Sequence, residues 1–196
     1  MSRKTFDKLA STLGLMLAIL LAVAGGLLTW GANFTSNEVK TQLAAQKITL
    51  PGATGNPKDD AATVKFFKEN AGKQMTTGKQ AQMYADHFIA FHLSNIGGGK
   101  TYSELSSQEM GVAAQLAQSP DDAALKAQDA QLQGKVATVF KGESLRGMLL
   151  NAYAFGTLGL IAQLSAYAAF TGALLFLLLA LMGFAHLRRV EEGDAI

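Results

Sequence analysis

An uninterrupted stretch without charged residues constrains this chain more than any other feature of its sequence. Residues 147–185 contain no Asp, Glu, Lys or Arg, although about a quarter of the residues in an average globular domain are charged. A stretch of this kind is typical of a membrane helix and excludes an ordinary soluble domain. As an α-helix it would be roughly 58 Å long, whereas the hydrocarbon core of a bilayer is about 30 Å thick.

This long stretch divides into two parts that differ in polarity. Residues 147–163 include Asn151, Tyr153 and Gln163, whereas residues 164–185 are almost entirely apolar. We interpret 164–185 as a transmembrane helix and 147–163 as its membrane-proximal extension. The three polar side chains are candidates for contact with a lipid or a quinone, although hydrogen bonding to neighbouring helices is the simpler interpretation.

A second apolar segment lies near the N-terminus. Residues 9–30 carry no charge and end in Trp30, an aromatic residue suited to the membrane–water interface. A cleaved signal peptide has a similar pattern. The apolar run continues past the small residues 22–24, however, so we predict a retained transmembrane helix.

The charges that flank the two segments predict the orientation. Basic residues precede the first span and follow the second: Arg3, Lys4, Lys8, Arg188 and Arg189. Because such residues favour the cytoplasmic side, we predict a multi-pass protein of the cell membrane with cytoplasmic segments 1–8 and 186–196. Residues 31–146 are then extracytoplasmic. The alternative, a re-entrant turn at residues 156–159, would place the C-terminal arginines outside.

Signals that begin α-helices recur along residues 31–146. Thr77 and Thr101 each precede a Gln or Glu by three residues, which is the capping-box arrangement. Ser119, followed by proline and two acids, predicts another start, and Gly142 predicts the end of that helix. No segment alternates as a strand does. We therefore predict an all-α protein in which two transmembrane helices flank an extracytoplasmic helical bundle.

Several classes of function find no support in the composition. The chain has no Cys, which excludes disulfides and thiolate chemistry, and its net charge of +2 shows no basic field for nucleic acid. His87 and His92 are five residues apart, so they do not share a helix face as a metal pair would. The acid pairs 59–60 and 121–122 are explained as helix starts. We expect no catalytic residues, no metal and no cofactor.

Small residues recur every fourth position in the first span. Gly14, Ala18, Ala22 and Gly26 form this stripe, and a shorter one in the second span consists of Ser165, Ala169 and Ala173. Small side chains allow two helix backbones to approach closely in a membrane. We interpret both stripes as helix-packing surfaces, either between the two spans of one chain or towards another protein.

These features favour a non-catalytic interaction protein over an enzyme. It would be a self-associating scaffold or an accessory subunit of a larger membrane complex, such as a respiratory one. The expected partners are the lipid bilayer and other copies or other membrane subunits, not nucleic acid. Two alternatives stay open: a homo-oligomeric pore or transport component, and a sensor that signals through a partner's helices.

Three stretches together resemble a known family. They are TTGKQAQMYADHFIAFHL at 76–93, GGKTYSELS at 98–106 and FKGESLRGMLLNAYAFGTLG at 140–159. With the two spans, they resemble actinobacterial two-span membrane proteins of unassigned function, some of which are labelled aromatic ring-opening dioxygenases. The resemblance implies the same topology and an actinobacterial membrane. It supplies no catalytic residues, and the 2-His-1-carboxylate arrangement of such dioxygenases is not readable here.

Overall fold

A computed structural model describes residues 3–189 of the chain. All regular structure in this range is helical, which confirms the predicted all-α class. A π-helical segment, Tyr84–Ile89, lies between the third and fourth α-helices. The six α-helices are α1 (Arg3–Ala45), α2 (Ala61–Asn70), α3 (Gly78–Met83), α4 (Ala90–Gly97), α5 (Tyr102–Gln118) and α6 (Ala123–Leu187).

Two of these helices are long and apolar enough to cross a membrane. Helices α1 and α6 each contain an 18-residue window with a mean hydropathy above 2, and only 11% and 17% of those windows are buried inside the protein. The core helix of a soluble protein would be mostly buried. The predicted spans 9–30 and 164–185 therefore lie within helices of suitable length, composition and exposure.

The chain divides into two compact units. Among the residues described, the first unit consists of 3–37 and 157–189, and the second of 38–156. Helices α1 and α6 each contribute to both. The predicted C-terminal segment 186–196 is described only as far as residue 189, so the part from 190 to 196 lies outside the described residues.

In the first unit, α1 and α6 pack antiparallel through small residues that recur every seven positions. The buried positions are Ser11, Ala18, Gly25 and Ala32 on α1, and Gly159, Ala166, Ala173 and Ala180 on α6. The approach is close: a Cβ atom built on Gly14 would lie 3.5 Å from the Cβ of Ala180. Small side chains at this seam let the two backbones approach in the way that membrane helices use.

The seven-residue seam departs from the four-residue stripe that the sequence suggested. A step of four residues advances about 40° around a helix, whereas a step of seven falls only about 20° short of two turns. Of the predicted stripe, Gly14 and Ala18 lie at the seam. Ala22 and Gly26 are exposed, and a Cβ on Gly26 would meet nothing within 4 Å. Leu21 joins the seam instead, with its Cδ1 3.1 Å from a Cβ built on Gly172.

The second unit has its own hydrophobic core. The core residues come from the end of α1, from α2, from the segment α3 to α4, from α6 and from the loops on either side of α2: Val39, Leu43, Leu50, Phe67, Met75, Ala81, Met83, Ala85, Ile89, Leu93 and Leu149. Helix α3 approaches α6 so closely that a Cβ on Gly78 would lie 3.0 Å from the Ala152 carbonyl oxygen and the Tyr153 Cα. Glycine at position 78 is therefore what allows this packing.

Three of the predicted helix starts are present in the second unit. Thr77 and Thr101 are N-caps in complete capping boxes with Gln80 and Glu104. Asp60 caps α2, because its carboxylate accepts a hydrogen bond of 2.7 Å from a backbone N–H three residues later. Each cap satisfies backbone donors that the first turn of a helix leaves free.

The predicted start at Ser119 is wrong by three residues. Ser119 ends α5. Helix α6 begins after Asp122, whose carboxylate accepts hydrogen bonds of 2.8 and 3.0 Å from two backbone N–H groups of the first turn. A carboxylate is as good an N-cap as a serine hydroxyl, so the local signal did not distinguish the two.

The predicted end of the helix at Gly142 is also wrong. Helix α6 continues through Gly142 and through residues 156–159, so the alternative with a re-entrant turn at 156–159 is contradicted as well. A glycine inside a helix costs only about 1 kcal/mol. At Gly142 the missing Cβ also makes room for Leu93, whose Cγ would otherwise lie 3.0 Å away.

Candidate functional site: uncovered helix surfaces

One face of α1 in the first unit carries residues that the rest of that unit does not cover. Ala22 and Gly26 are exposed on it, and no atom lies within 4 Å of a Cβ built on Gly26. Trp30 and Phe34 follow at the same spacing, 69% and 59% exposed, with their rings stacked 5.9 Å apart. We call these four residues the outer stripe of α1. A notch of small residues beside two aromatic rings is a surface on which another helix can pack.

The three predicted packing residues of α6 have different surroundings. Ala173 is buried at the seam and Ala169 is half-buried, whereas Ser165 is exposed. The exposed Thr171 donates its hydroxyl proton to the carbonyl oxygen of Tyr167 at 2.9 Å. The predicted α6 stripe is therefore divided between the seam and the outer surface.

The predicted lipid or quinone contacts are not gathered on one face. Asn151 is exposed and Tyr153 is half-buried, and both belong to the second unit. Two residues along a helix correspond to about 200° around its axis. The two side chains therefore point to opposite sides of α6. Gln163 is half-buried in the first unit.

A buried carboxylate in the second unit has a different role from the one predicted. The side chain of Asp59 is only 6% exposed. It accepts hydrogen bonds from the Thr54 hydroxyl and, at 3.2 Å, from the Asn56 amide, and its Oδ1 lies 3.7 Å from Nδ1 of His87. Only the adjacent Asp60 caps the helix. Asp59 instead links the loop between α1 and α2 to the π-helical segment. The sequence signal for this role was the presence of Thr54 and Asn56 a few residues earlier.

Arg146 closes a polar network around the π-helical segment. Its Nε donates a hydrogen bond of 3.0 Å to the carbonyl oxygen of Ala85. Its guanidinium also lies 3.5 Å from the carboxylate of Asp86 and 2.8 Å from that of Glu143. A π-helix departs from the regular α-helical hydrogen bonding and often marks a functional site. Here the arginine supplies a partner for one of its carbonyl groups.

Three groups of the second unit have shifted pKa values. Hydrogen bonds from Thr63 lower the pKa of Asp60, and hydrogen bonds from Thr101 lower that of Glu104, because both carboxylates accept the donors of a helix start. Burial raises the pKa of the Tyr84 hydroxyl. Helix caps and a core contact account for all three shifts.

Within residues 3–189, no three His, Cys, Asp or Glu side chains are grouped so that they could hold a metal ion. Comparison with protein family models, with curated proteins and with solved structures finds no match to this chain. The outer stripe of α1 is the candidate interaction surface that the geometry defines.

Proposed function

We propose that this chain is a non-catalytic integral membrane protein that acts by association. It is a self-associating scaffold or an accessory subunit of a larger membrane complex, such as a respiratory one. In this proposal it spans the cell membrane twice, with both termini in the cytoplasm and residues 31–146 outside, as in the actinobacterial proteins that it resembles. The length, apolar composition and exposure of α1 and α6, with the basic residues beside their ends, support this arrangement.

The outer stripe of α1 is the observation that carries the proposal. The seam with α6 uses Gly14, Ala18 and Gly25, whereas Ala22 is exposed and a Cβ on Gly26 would have nothing within 4 Å. Lipid tails solvate a large apolar side chain as well as a protein does, so a close-packed contact depends on small residues. A notch of this kind fits the backbone of a neighbouring transmembrane helix.

Two substitutions test the outer stripe by the size of the particle. Ala22→Leu and Gly26→Leu should each give a smaller particle in native mass spectrometry after mild detergent extraction, because the added bulk separates two helices. Thermal stability should be unchanged, since neither residue lies at the intrachain seam. Val23→Leu is the matched control: Val23 is 59% exposed beside the stripe, and the change adds one methylene without filling the notch.

The size measurement also shows how the association proposal fails. A wild-type chain that is monomeric, with no co-purifying protein, contradicts it. Unchanged particle size in both stripe variants contradicts the assignment of the interface to the outer stripe.

The topology is tested separately with single cysteines. The chain contains no Cys, so Ser103→Cys and Arg189→Cys each introduce one reactive thiol. A membrane-impermeant maleimide added to intact cells should label the first variant and not the second. Labelling of Arg189→Cys from outside would refute cytoplasmic placement of this end.

A further inference from the structure

A cleft lies between α1 and α6 in the first unit, near the beginning of α1 and the end of α6. Its volume is about 400 Å³. Three polar side chains line one part of it, Asp7, Ser11 and His186, and apolar side chains line the rest, among them Leu13, Leu17 and Phe176. The cleft therefore has a polar end and an apolar channel, which suits an amphiphilic ligand.

The carboxylate of Asp7 has an oxygen without a hydrogen-bond partner. Its Oδ2 is buried and accepts no hydrogen bond. The neighbouring Ser11 hydroxyl does not serve it, because that hydroxyl donates to the backbone carbonyl of Asp7 at 2.7 Å. Across the seam, Nε2 of His186 is 4.0 Å from Oδ2, which is too long for a hydrogen bond. The Asp7 side chain is 23% exposed as a whole, but its buried Oδ2 lacks the hydrogen-bond donor that a carboxylate oxygen requires.

A ligand with two N–H groups on one nitrogen would satisfy this geometry. The usual length of a charge-assisted hydrogen bond is about 2.8 Å. A ligand nitrogen at this distance from both Oδ2 and Nε2 would form an Oδ2–N–Nε2 angle of about 90°. That angle is near the tetrahedral arrangement of an ammonium group. The negative Asp7 favours the positive charge, and an imidazole nitrogen of His186 that carries no proton can accept the second hydrogen bond.

A charge beside the cleft indicates a second group on the same ligand. Arg3 lies four residues before Asp7, on nearly the same face of α1. Its guanidinium suits a phosphate placed beside the ammonium. A lipid with a phosphate and a quaternary ammonium has no N–H to donate, and one with a glycerol headgroup has no positive charge to offer Asp7.

We infer that this cleft binds a phospholipid whose headgroup carries a primary ammonium and a phosphate, as phosphatidylethanolamine does. The ammonium lies between Asp7 and His186, and an acyl chain follows the apolar channel along Leu17 and Phe176. This inference rests on the membrane location proposed above. It adds a headgroup preference that a membrane location alone does not imply.

Native mass spectrometry of the full chain in mild detergent tests the headgroup. The probes are phosphatidylethanolamine, its N-monomethyl and N,N-dimethyl derivatives, phosphatidylcholine and phosphatidylglycerol, all with the same acyl chains. The first two keep two or more N–H groups and should bind about tenfold or more tightly than phosphatidylcholine and phosphatidylglycerol. The dimethyl lipid, with one N–H, should be intermediate.

Two variants and a control assign the preference to the cleft. Asp7→Asn should remove the preference for the primary ammonium, because the negative charge is lost. Ala10→Phe, which places a ring in the cleft and leaves the carboxylate intact, should weaken binding of the ethanolamine lipid. Asp121→Asn, an acid with a fully exposed side chain in the second unit, should bind as the wild type does. Circular dichroism verifies that each variant is folded.

Several outcomes would overturn the inference. Equal binding of all five lipids would mean that the cleft is filled non-specifically or by water. Tighter binding of phosphatidylglycerol would mean that basic residues alone select the lipid. A preference that survives Asp7→Asn would exclude this carboxylate. A different result is expected if the proposed membrane location is wrong. Alkaline carbonate would then extract the chain from membranes, and the chain would retain no lipid.

Discussion

Two adjacent glycines of α1 allow the seam of the first unit to be tested with one kind of substitution. A Cβ on Gly25 would lie 2.9 to 3.0 Å from three ring atoms of Phe170, whereas a Cβ on Gly26 would have nothing within 4 Å. Gly25→Ala and Gly26→Ala make the same chemical change at nearly the same depth. Any difference between them therefore reports on packing and not on helix propensity.

The expected magnitude follows from the room around the ring. Carbon atoms in contact prefer about 3.5 to 4.0 Å, so the Phe170 ring must move by roughly half an ångström. Because the ring is 44% exposed, it can rotate, at a cost of about 0.5–1.5 kcal/mol for an off-rotamer side chain. With the lost contacts, Gly25→Ala should be about 1–2 kcal/mol less stable than Gly26→Ala, within the usual range for overpacking. Both variants share a gain of up to about 1 kcal/mol in helix propensity, so Gly26→Ala should be stabilising.

Thermal unfolding in mild detergent, followed by circular dichroism, measures the difference. Gly25→Ala should unfold at a lower temperature than Gly26→Ala. In the double variant Gly25→Ala with Phe170→Leu, the smaller side chain should recover most of the loss. Equal stability of the two single variants would refute the seam, and so would a double variant less stable than the sum of its two changes.

Three further predictions concern the second unit. Gly78→Ala should lower the melting temperature, because the new Cβ meets backbone atoms of α6, including the Tyr153 Cα, that cannot rotate away. Gly111→Ala is the control, because a Cβ there has open space around it. Equal melting temperatures of the two variants would contradict the close packing of α3 against α6. The lowered pKa of Asp60 means that its stabilisation is present above the unfolded value of 3.8 and is lost as the pH falls through the folded value. Urea unfolding of wild type and Asp60→Ala should therefore differ at neutral pH and converge in acid, and a difference independent of pH would refute the ionised cap. The raised pKa of Tyr84 has the opposite consequence: the stabilisation from its neutral hydroxyl is fully present below the unfolded value of 10.0 and is lost as the pH rises through the folded value. The stability of Tyr84→Phe should therefore be less sensitive to alkali than that of the wild type. Equal sensitivity of the two proteins would contradict the burial of this hydroxyl.

Features that depend on neighbouring residues were predictable from the sequence. The capping boxes at Thr77 and Thr101 are complete within four residues, so their geometry depends only on residues that are close in sequence. The apolar segments 9–30 and 164–185 are likewise local, because the thickness of a bilayer alone sets the length of a span. The all-α class follows from these signals together.

Features that depend on a partner distant along the chain were not predictable. The sequence around Gly142 predicts a helix end, and only the position of Leu93 on α4 shows that this glycine is a packing position inside α6. In the sequence, Arg146 indicates only a surface charge. The structure shows that it bonds the carbonyl group of Ala85, which is 61 positions earlier. Asp59 has local partners in Thr54 and Asn56, but its proximity to His87 was not predictable.

The candidate surface shows the same division most clearly. The sequence by itself determined that α1 carries many small residues and that small residues favour close helix contacts. Only the tertiary structure decided that Ala18 and Gly25 are buried against α6 and that Ala22 and Gly26 are exposed beside this seam. The reason is geometric: two helices that pack along their length keep one face in contact by a step near seven residues, whereas a stripe with a step of four winds off that face.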